Sequence, residues 1–191
     1  MKSFAVEDDQ QQRLFNAMEM GPITRAKVRW CSKWLDRNLY PFHQRLVAFA
    51  IVEDIFSCSS FAAVYWFRNR GILPGLCFSN DLMARNEQLY VRFACLLYDE
   101  LDEKVTTDCA HAMIREAVDL EKAFFSGKSS RSSQGRNYIP YQSAAALKHS
   151  FAGLSAELMA HYIEYIADIL LHFLDIPLVY RAQNPVRIWL V

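Results

Sequence analysis

The feature that most constrains this chain is the segment 46–67, LVAFAIVEDIFSCSSFAAVYWF, which is apolar on nearly every side and contains no Lys or Arg. A helix that is apolar all round must be surrounded by protein or by lipid. Glu53 and Asp54 lie at its middle, and carboxylates at the centre of a bilayer are costly and rare. The segment therefore predicts the central helix of a soluble bundle, with a membrane span as the less favoured alternative.

The rest of the chain also favours long helices. Only six Gly and six Pro occur in 191 residues, so few positions interrupt a helix. We find no internal repeat and no domain boundary, and we expect one all-α domain over residues 1–191. Apolar spacing and turn residues predict helices over 7–20, 24–38, 42–69, 78–100, 102–126, 141–150 and 154–174, with a polar loop at 127–137 and with Ser79 or Asn80 capping the fourth helix.

Charge and cysteine content exclude several classes of partner. Lys plus Arg number 21, as do Asp plus Glu, so nothing electrostatic favours binding to nucleic acid or to an anionic membrane. The five Cys include no C-x-x-C pair, and the first residues show no apolar signal segment. Reduced thiols in a cytoplasmic protein are the simplest interpretation.

Two carboxylates inside apolar helices are the candidate site residues. Glu53 lies in the central helix, and Glu87 lies in the apolar run ARNEQLYVRFACLLY. In helix-bundle di-iron proteins, half of the metal site consists of a Glu from one helix and a Glu-x-x-His from another. Here Tyr90 stands at the His position, and a neutral phenol is a poor ligand. The residue types alone favour a structural role for both Glu residues over a metal site, with Arg85 and Arg92 as nearby charges.

A longer pattern surrounds these two residues. Over 44–98 the chain includes VAFAIVEDIFSCSSF, then RGILPGLCFSN, then RNEQLYVRFAC. This stretch resembles, without a gap, the small subunit of ribonucleotide reductase, particularly its eukaryotic and viral forms. Weaker similarity extends over RLFNAMEMGPITRAKVRWCSKWL upstream and over AVDLEKAFF, HYIEYIADILL and VYRAQNP downstream. The resemblance therefore covers nearly the whole chain.

The resemblance implies a ferritin-like helical bundle and a part in making deoxyribonucleotides for DNA replication. In that family a di-iron site generates a tyrosyl radical, which starts reduction in the partner large subunit. Glu53 and Glu87 match two of the family's metal ligands. Tyr90 replaces the ligand His, and Asn86 replaces the Asp that links the site to radical transfer. The matched site is therefore degenerate.

Further departures weaken the site. Ser57 replaces a Phe of the family's radical pocket, whereas Phe61 is kept, and Asp54 replaces a Gly and adds a charge. The family's remaining ligands (an Asp, a Glu and a His) and its radical Tyr would lie on helices before RLFNAMEM. The tail that docks on the large subunit would lie beyond VYRAQNP. We expect both to be missing, so we expect no bound iron and only vestigial metal positions at the two Glu residues.

These departures favour a catalytically incompetent family member that acts as a structural or heterodimer partner. The alternatives are an active di-iron subunit and a truncated gene product without function. The expected partner is an intact small subunit or a second copy, because missing neighbours would leave the central helix with an exposed apolar face. Without the docking tail, binding to the large subunit is not expected.

Overall fold

The computed structural model describes residues 21–126 and 155–185, and every regular element in these ranges is a helix. The all-α prediction is confirmed. The expected helices 7–20 and 141–150 and the loop 127–137 lie outside the described residues. In chain order the described helices are α1 (Pro22–Leu35), α2 (Phe42–Arg68), α3 (Pro74–Asp99), α4 (Thr107–Ser126) and α5 (Ala156–Phe173).

The core of the fold is α2, as its composition predicted. It packs against each of the other four described helices. Val47, Ala50, Ile51 and Ile55 have no exposed surface. By length and composition α2 could cross a membrane, but half of its most apolar stretch is buried inside the protein. Contacts on several sides are those of a core helix in a bundle.

The start of α3 lies earlier than the sequence predicted. The helix begins at Pro74, so the assignment of Ser79 or Asn80 as its N-cap is wrong. Leu73 precedes it in the left-handed conformation, with a φ of 53° and no side-chain cap. Pro74 suits the first position because its φ is already helical and an N–H there would have no partner. Asn80 instead lies buried inside the helix, where Nδ2 donates to the Phe61 carbonyl at 3.5 Å.

The start of α4 also differs, since it lies at Thr107 and not near residue 102. The Tyr98 hydroxyl accepts a hydrogen bond from the Val105 N–H at 2.9 Å. Lys104 Nζ donates to the carbonyls of Tyr98 and Asp99. The bond to Asp99 satisfies a carbonyl group that the end of α3 leaves free. The residues before α4 therefore belong to the end of α3 and not to a first turn of α4.

An antiparallel pair of helices, α2 and α3, positions the candidate site. The two helices are joined by the short connection 69–73. The start of α2 lies beside the end of α3, since Phe42 and Leu97 line the same groove. This arrangement places the middle of α2 against the middle of α3, where the two candidate Glu residues lie.

Candidate functional site

The antiparallel pair brings together three carboxylates, Glu53 and Asp54 on α2 and Glu87 on α3, which we call the carboxylate cluster. Burial raises the pKa of Glu53, and the charge of Glu87 raises it further. Burial also raises the pKa of Asp54 to about 7, again with a contribution from Glu87. Both shifts favour the neutral acid, because carboxylates close together in an apolar space cannot all ionise cheaply.

Glu87 lacks a hydrogen-bond partner for one of its two side-chain oxygens among the described residues. Its Oε2 atom is buried and accepts no hydrogen bond from any described residue. Burial raises the pKa of Glu87, whereas the Ser57 hydroxyl lowers it. That hydroxyl also donates to the Glu53 carbonyl of its own helix at 2.7 Å. Among the ion pairs within the described ranges, none joins Glu87 to Arg85 or Arg92.

Tyr90 does not complete the cluster. It follows Glu87 by about one helical turn, at the position of the expected third donor, and it is 53% exposed. Asn86 is exposed as well. In the part of the chain that the structure describes, no group of three or more His, Cys, Asp or Glu is arranged to hold a metal ion. These side chains therefore do not fit a di-iron centre, which needs an imidazole beside the Glu of each Glu-x-x-His.

A second buried carboxylate was missed by sequence reasoning. Glu121 of α4 has no exposed side-chain surface, and its Oε2 atom pairs with Lys27 Nζ of α1 at 2.5 Å. Its Oε1 atom accepts a hydrogen bond from the Ser59 hydroxyl of α2. Burial raises the pKa of Glu121, while Lys27 and Ser59 oppose that shift. Lys27, Ser59 and Glu121 form what we call the buried ion-pair cluster, which ties three helices together.

Lys27 is well satisfied although only 13% of its side chain is exposed. Its Nζ also donates to the Phe56 carbonyl at 2.9 Å. It lies 4.2 Å from the centre of the Phe124 ring and 4.8 Å from that of Phe56, within the range of cation–π attraction. The sequence signal was the Glu inside the apolar motif AVDLEKAFF, but its partner lies 94 residues away. Spacing within one helix could not reveal the pair.

A further buried carboxylate, Asp168 of α5, fixes the segment after that helix. Its Oδ1 atom accepts hydrogen bonds from the N–H groups of Val179 and Tyr180, at 3.1 and 3.0 Å. Its Oδ2 atom accepts one from the Ala182 N–H at 2.8 Å. A carboxylate with backbone donors on both oxygens is well satisfied. Asp168 is therefore a structural residue that holds the downstream segment against the bundle.

Comparison with known proteins agrees with the fold and with the sequence pattern. The family model for the ribonucleotide reductase small chain matches residues 1–185. The ribonucleoside-diphosphate reductase small chain of Nicotiana tabacum is 38% identical over 185 residues, which cover 97% of this chain and 50% of that protein. The small chain of Neurospora crassa is 37% identical over 183 residues, which cover 96% of this chain and 40% of that protein. The chain thus spans half the length, or less, of these curated relatives.

Two solved structures share the helical arrangement. The ribonucleotide reductase Rnr4 homodimer from Saccharomyces cerevisiae superposes with a TM-score of 0.72 at 28% identity, over 91% of this chain and 50% of that chain. A Bacillus halodurans protein assigned to the class I ribonucleotide reductases gives a TM-score of 0.75 at 18% identity, over 97% of this chain and 57% of that one, which supports the fold alone. The resemblance over 44–98 is confirmed: the chain belongs to the ribonucleotide reductase small-chain family and has its ferritin-like helical fold.

Proposed function

We propose that this chain is a non-catalytic member of the small-chain family, which serves ribonucleotide reduction in the cytoplasm as a structural partner. The observation that carries the proposal is Tyr90, a half-exposed phenol at the position of the family's ligand His. Among the described residues, no group of three or more His, Cys, Asp or Glu, the carboxylate cluster included, is arranged to hold a metal ion. Asn86 and Ser57 add departures at positions that the resemblance links to radical transfer. A protein with this site is expected to hold no iron.

A structural role requires a stable framework and an available surface. The framework is supported by the closely packed α2 and by the buried ion-pair cluster. A surface for a partner is available on α3, which exposes several large apolar side chains. Since Rnr4 of Saccharomyces cerevisiae, which shares this fold, forms a homodimer, we propose that the partner is an intact small subunit or a second copy of this chain.

An active di-iron subunit is the second candidate, and one observation favours it. Glu53 and Glu87 are both kept, and the buried Oε2 atom of Glu87 accepts no hydrogen bond from the described residues. A metal cation would satisfy such an atom. The proposal of a non-catalytic chain therefore needs a direct test for iron.

Metal analysis of the purified protein, with electron paramagnetic resonance after addition of Fe(II) and oxygen, separates the two candidates. An intact small subunit of the same host serves as the positive control. We expect no stoichiometric iron and no tyrosyl radical signal from this chain. Stoichiometric iron together with a radical signal would overturn the non-catalytic role and favour the active subunit.

A binding experiment tests the partner role. The chain, carrying an affinity tag, is mixed with the intact small subunit, and reductase activity is measured after the large subunit is added. We expect a stable complex with the small subunit and an altered yield of active enzyme. If neither the complex nor the change in activity appears, the chain is better described as a gene product without function in this reaction.

A further inference from the structure

A groove lies between α1 and the first half of α2, beside the end of α3. Its volume is about 460 Å³, within the range of roughly 300 to 1,000 Å³ that is typical of small-molecule sites. Among the described residues that line it, none belongs to the carboxylate cluster. We call it the aromatic groove, because four of the residues that line it are Trp30, Trp34, Phe42 and Phe49.

The aromatic rings come from both helices. Trp30 and Trp34 of α1 are buried, and their ring centres lie 5.9 Å apart. Phe42 and Phe49 of α2 are 50% and 41% exposed, so their rings are available to a molecule that enters the groove. Aromatic rings attract one another in offset or edge-to-face arrangements, in addition to the gain from burying apolar area. The groove therefore favours a flat aromatic body over an alkyl chain.

Arg45 is the only charged side chain among the described residues that line the aromatic groove. It is partly exposed and lies three residues after Phe42 and four before Phe49, so all three share one face of α2. Over residues 21–126 and 155–185, the ion pairs and cation–π contacts do not include Arg45. A guanidinium without an anionic partner can bind a carboxylate through two parallel N–H···O bonds.

We propose that the aromatic groove binds an aromatic monocarboxylic acid, whose fused rings contact the Trp and Phe side chains and whose carboxylate pairs with Arg45. Apolar walls with few polar groups that fix orientation are typical of small-molecule sites. One unpaired cation matches one anionic group, and a second charge on the ligand would be buried without a partner. This site goes beyond the proposed partner role and does not depend on it.

Isothermal titration calorimetry tests the class of ligand. The probe is β-naphthoic acid, with two comparators: β-naphthylmethanol, which lacks the charge, and the fully hydrogenated acid, which lacks the aromatic rings. We expect saturable binding of β-naphthoic acid at one site. The alcohol should bind about tenfold more weakly and the hydrogenated acid about threefold more weakly. No saturable binding of β-naphthoic acid, or equal binding of either comparator, would overturn the assigned class.

Cysteine alkylation locates the bound acid. Cys31 lines the aromatic groove, whereas Cys109 is also partly exposed but does not line it. Because burial raises the pKa of the Cys31 thiol, the labelling with iodoacetamide is done in alkaline buffer. Saturating β-naphthoic acid should slow the alkylation of Cys31 several-fold and leave that of Cys109 unchanged, as mass spectrometry of the peptides can measure. An unchanged rate at Cys31 would place the ligand elsewhere and contradict the proposal.

Arg45→Gln tests the charged contact. It should weaken the binding of β-naphthoic acid about tenfold and leave the affinity for the uncharged β-naphthylmethanol unchanged, which a general loss of structure would not do. Arg45→Lys keeps the charge and should retain part of the binding. Arg37→Gln, at an exposed position outside the groove, is the matched control and should bind as wild type does. Equal affinity of wild type and Arg45→Gln for β-naphthoic acid would remove the carboxylate contact and overturn the proposal.

The outcomes are distinct from those that test the proposed function. A chain that binds β-naphthoic acid in the aromatic groove, but forms no complex with the intact small subunit, would keep this inference and remove the partner role. A chain that forms that complex and binds no β-naphthoic acid would keep the partner role and overturn this inference.

Discussion

The carboxylate cluster and the buried ion-pair cluster are two solutions to the same difficulty, a carboxylate inside an apolar helical bundle. Glu121 is the more deeply buried, yet Lys27 and Ser59 occupy both of its oxygens. Glu87 is only partly buried, yet its Oε2 atom accepts no hydrogen bond from the described residues. The comparison shows that depth of burial does not determine whether a carboxylate in this bundle is satisfied. The set of partners does.

The two clusters should respond in opposite directions when charge is removed. In the buried ion-pair cluster the charges stabilise one another, and losing one leaves the other uncompensated. In the carboxylate cluster, burial raises the pKa of each acid, and the charge of Glu87 raises those of Glu53 and Asp54 further, so ionisation costs stability. The substitutions below test this difference, from the largest expected effect to the smallest.

Lys27→Met should be the most damaging change. It removes the cation from Glu121, which has no exposed side-chain surface, and should lower the free energy of unfolding by about 3 kcal/mol. Lys33→Met is the matched control on the same helix, because its pair with Glu116 spans 3.7 Å and both side chains are about half exposed. That control should cost less than about 1 kcal/mol. Urea denaturation measures both, and equal losses would show that the buried pair is not special.

Asp168→Ala tests whether backbone donors stabilise a buried carboxylate as an ammonium group does. It leaves the N–H groups of Val179, Tyr180 and Ala182 without their acceptor and should lower the free energy of unfolding by about 2 kcal/mol. Limited proteolysis should also cut the segment around these residues faster. Glu157→Ala, an exposed acid on the same helix, is the control. Unchanged stability and proteolysis in Asp168→Ala would remove the structural role assigned to this residue.

Sequence reasoning succeeded where the signal lies within one helix. The apolar run around Glu53 predicted the core helix, and apolar spacing and turn residues predicted α3 and α5 with ends within a few residues. The start of α3 was misplaced because Ser79 and Asn80 are good caps in isolation, whereas Pro74 begins the helix directly after a left-handed Leu73. A local backbone conformation of this kind leaves only a weak trace in composition.

The candidate site was predictable only in part. The family motif located Glu53 and Glu87, and the fold brings them near one another because α2 and α3 are antiparallel. The pair of Lys27 with Glu121 joins residues 94 positions apart, so no spacing rule could find it. Likewise, the half-exposed position of Tyr90 depends on which neighbours pack against α3, and that is a tertiary property.

Asp54→Asn should change stability in the opposite direction to Lys27→Met. The pKa of Asp54 is raised from 3.8 to about 7 in the folded protein. Below pH 3.8, the pKa of Asp54 in the unfolded chain, the carboxyl group is protonated in both the folded and the unfolded protein, and the stability contribution of the neutral acid is fully present. This contribution is lost as pH rises through about 7, the pKa of Asp54 in the folded protein, because the folded protein must then bury a charge. Wild-type stability should therefore fall between about pH 4 and about pH 7.

The Asn variant removes that loss. A rise of about three pKa units corresponds to about 4 kcal/mol of stability lost by wild type as pH rises. The amide's own need for hydrogen-bond partners costs about 2 kcal/mol at every pH. We therefore expect the variant to be more stable than wild type by about 2 kcal/mol at pH 8 and less stable by a similar amount near pH 4. Thermal unfolding across this pH range measures the difference. Asp119→Asn, an exposed acid on α4, should leave the pH profile unchanged. A wild-type profile that rises from pH 4 to pH 7 would show that Asp54 is paired and ionised in the fold.

Tyr90→His should have the smallest effect on stability and the most informative effect on chemistry. Because Tyr90 is 53% exposed, the substitution should change the free energy of unfolding by less than about 0.5 kcal/mol. It restores a Glu-x-x-His spacing after Glu87, so above the pKa of imidazole the variant should bind Co(II) more tightly than wild type, as absorbance titration can measure. Gln88→His adds the same imidazole at an exposed position of α3 that lacks the Glu-x-x-His spacing, and it should bind no better than wild type. If wild type bound Co(II) as tightly as Tyr90→His, the carboxylate cluster would be a working set of metal ligands without an imidazole. The Oε2 atom of Glu87 would then differ from the oxygens of Glu121 because it binds a cation from solution, whereas Lys27 and Ser59 already occupy those of Glu121.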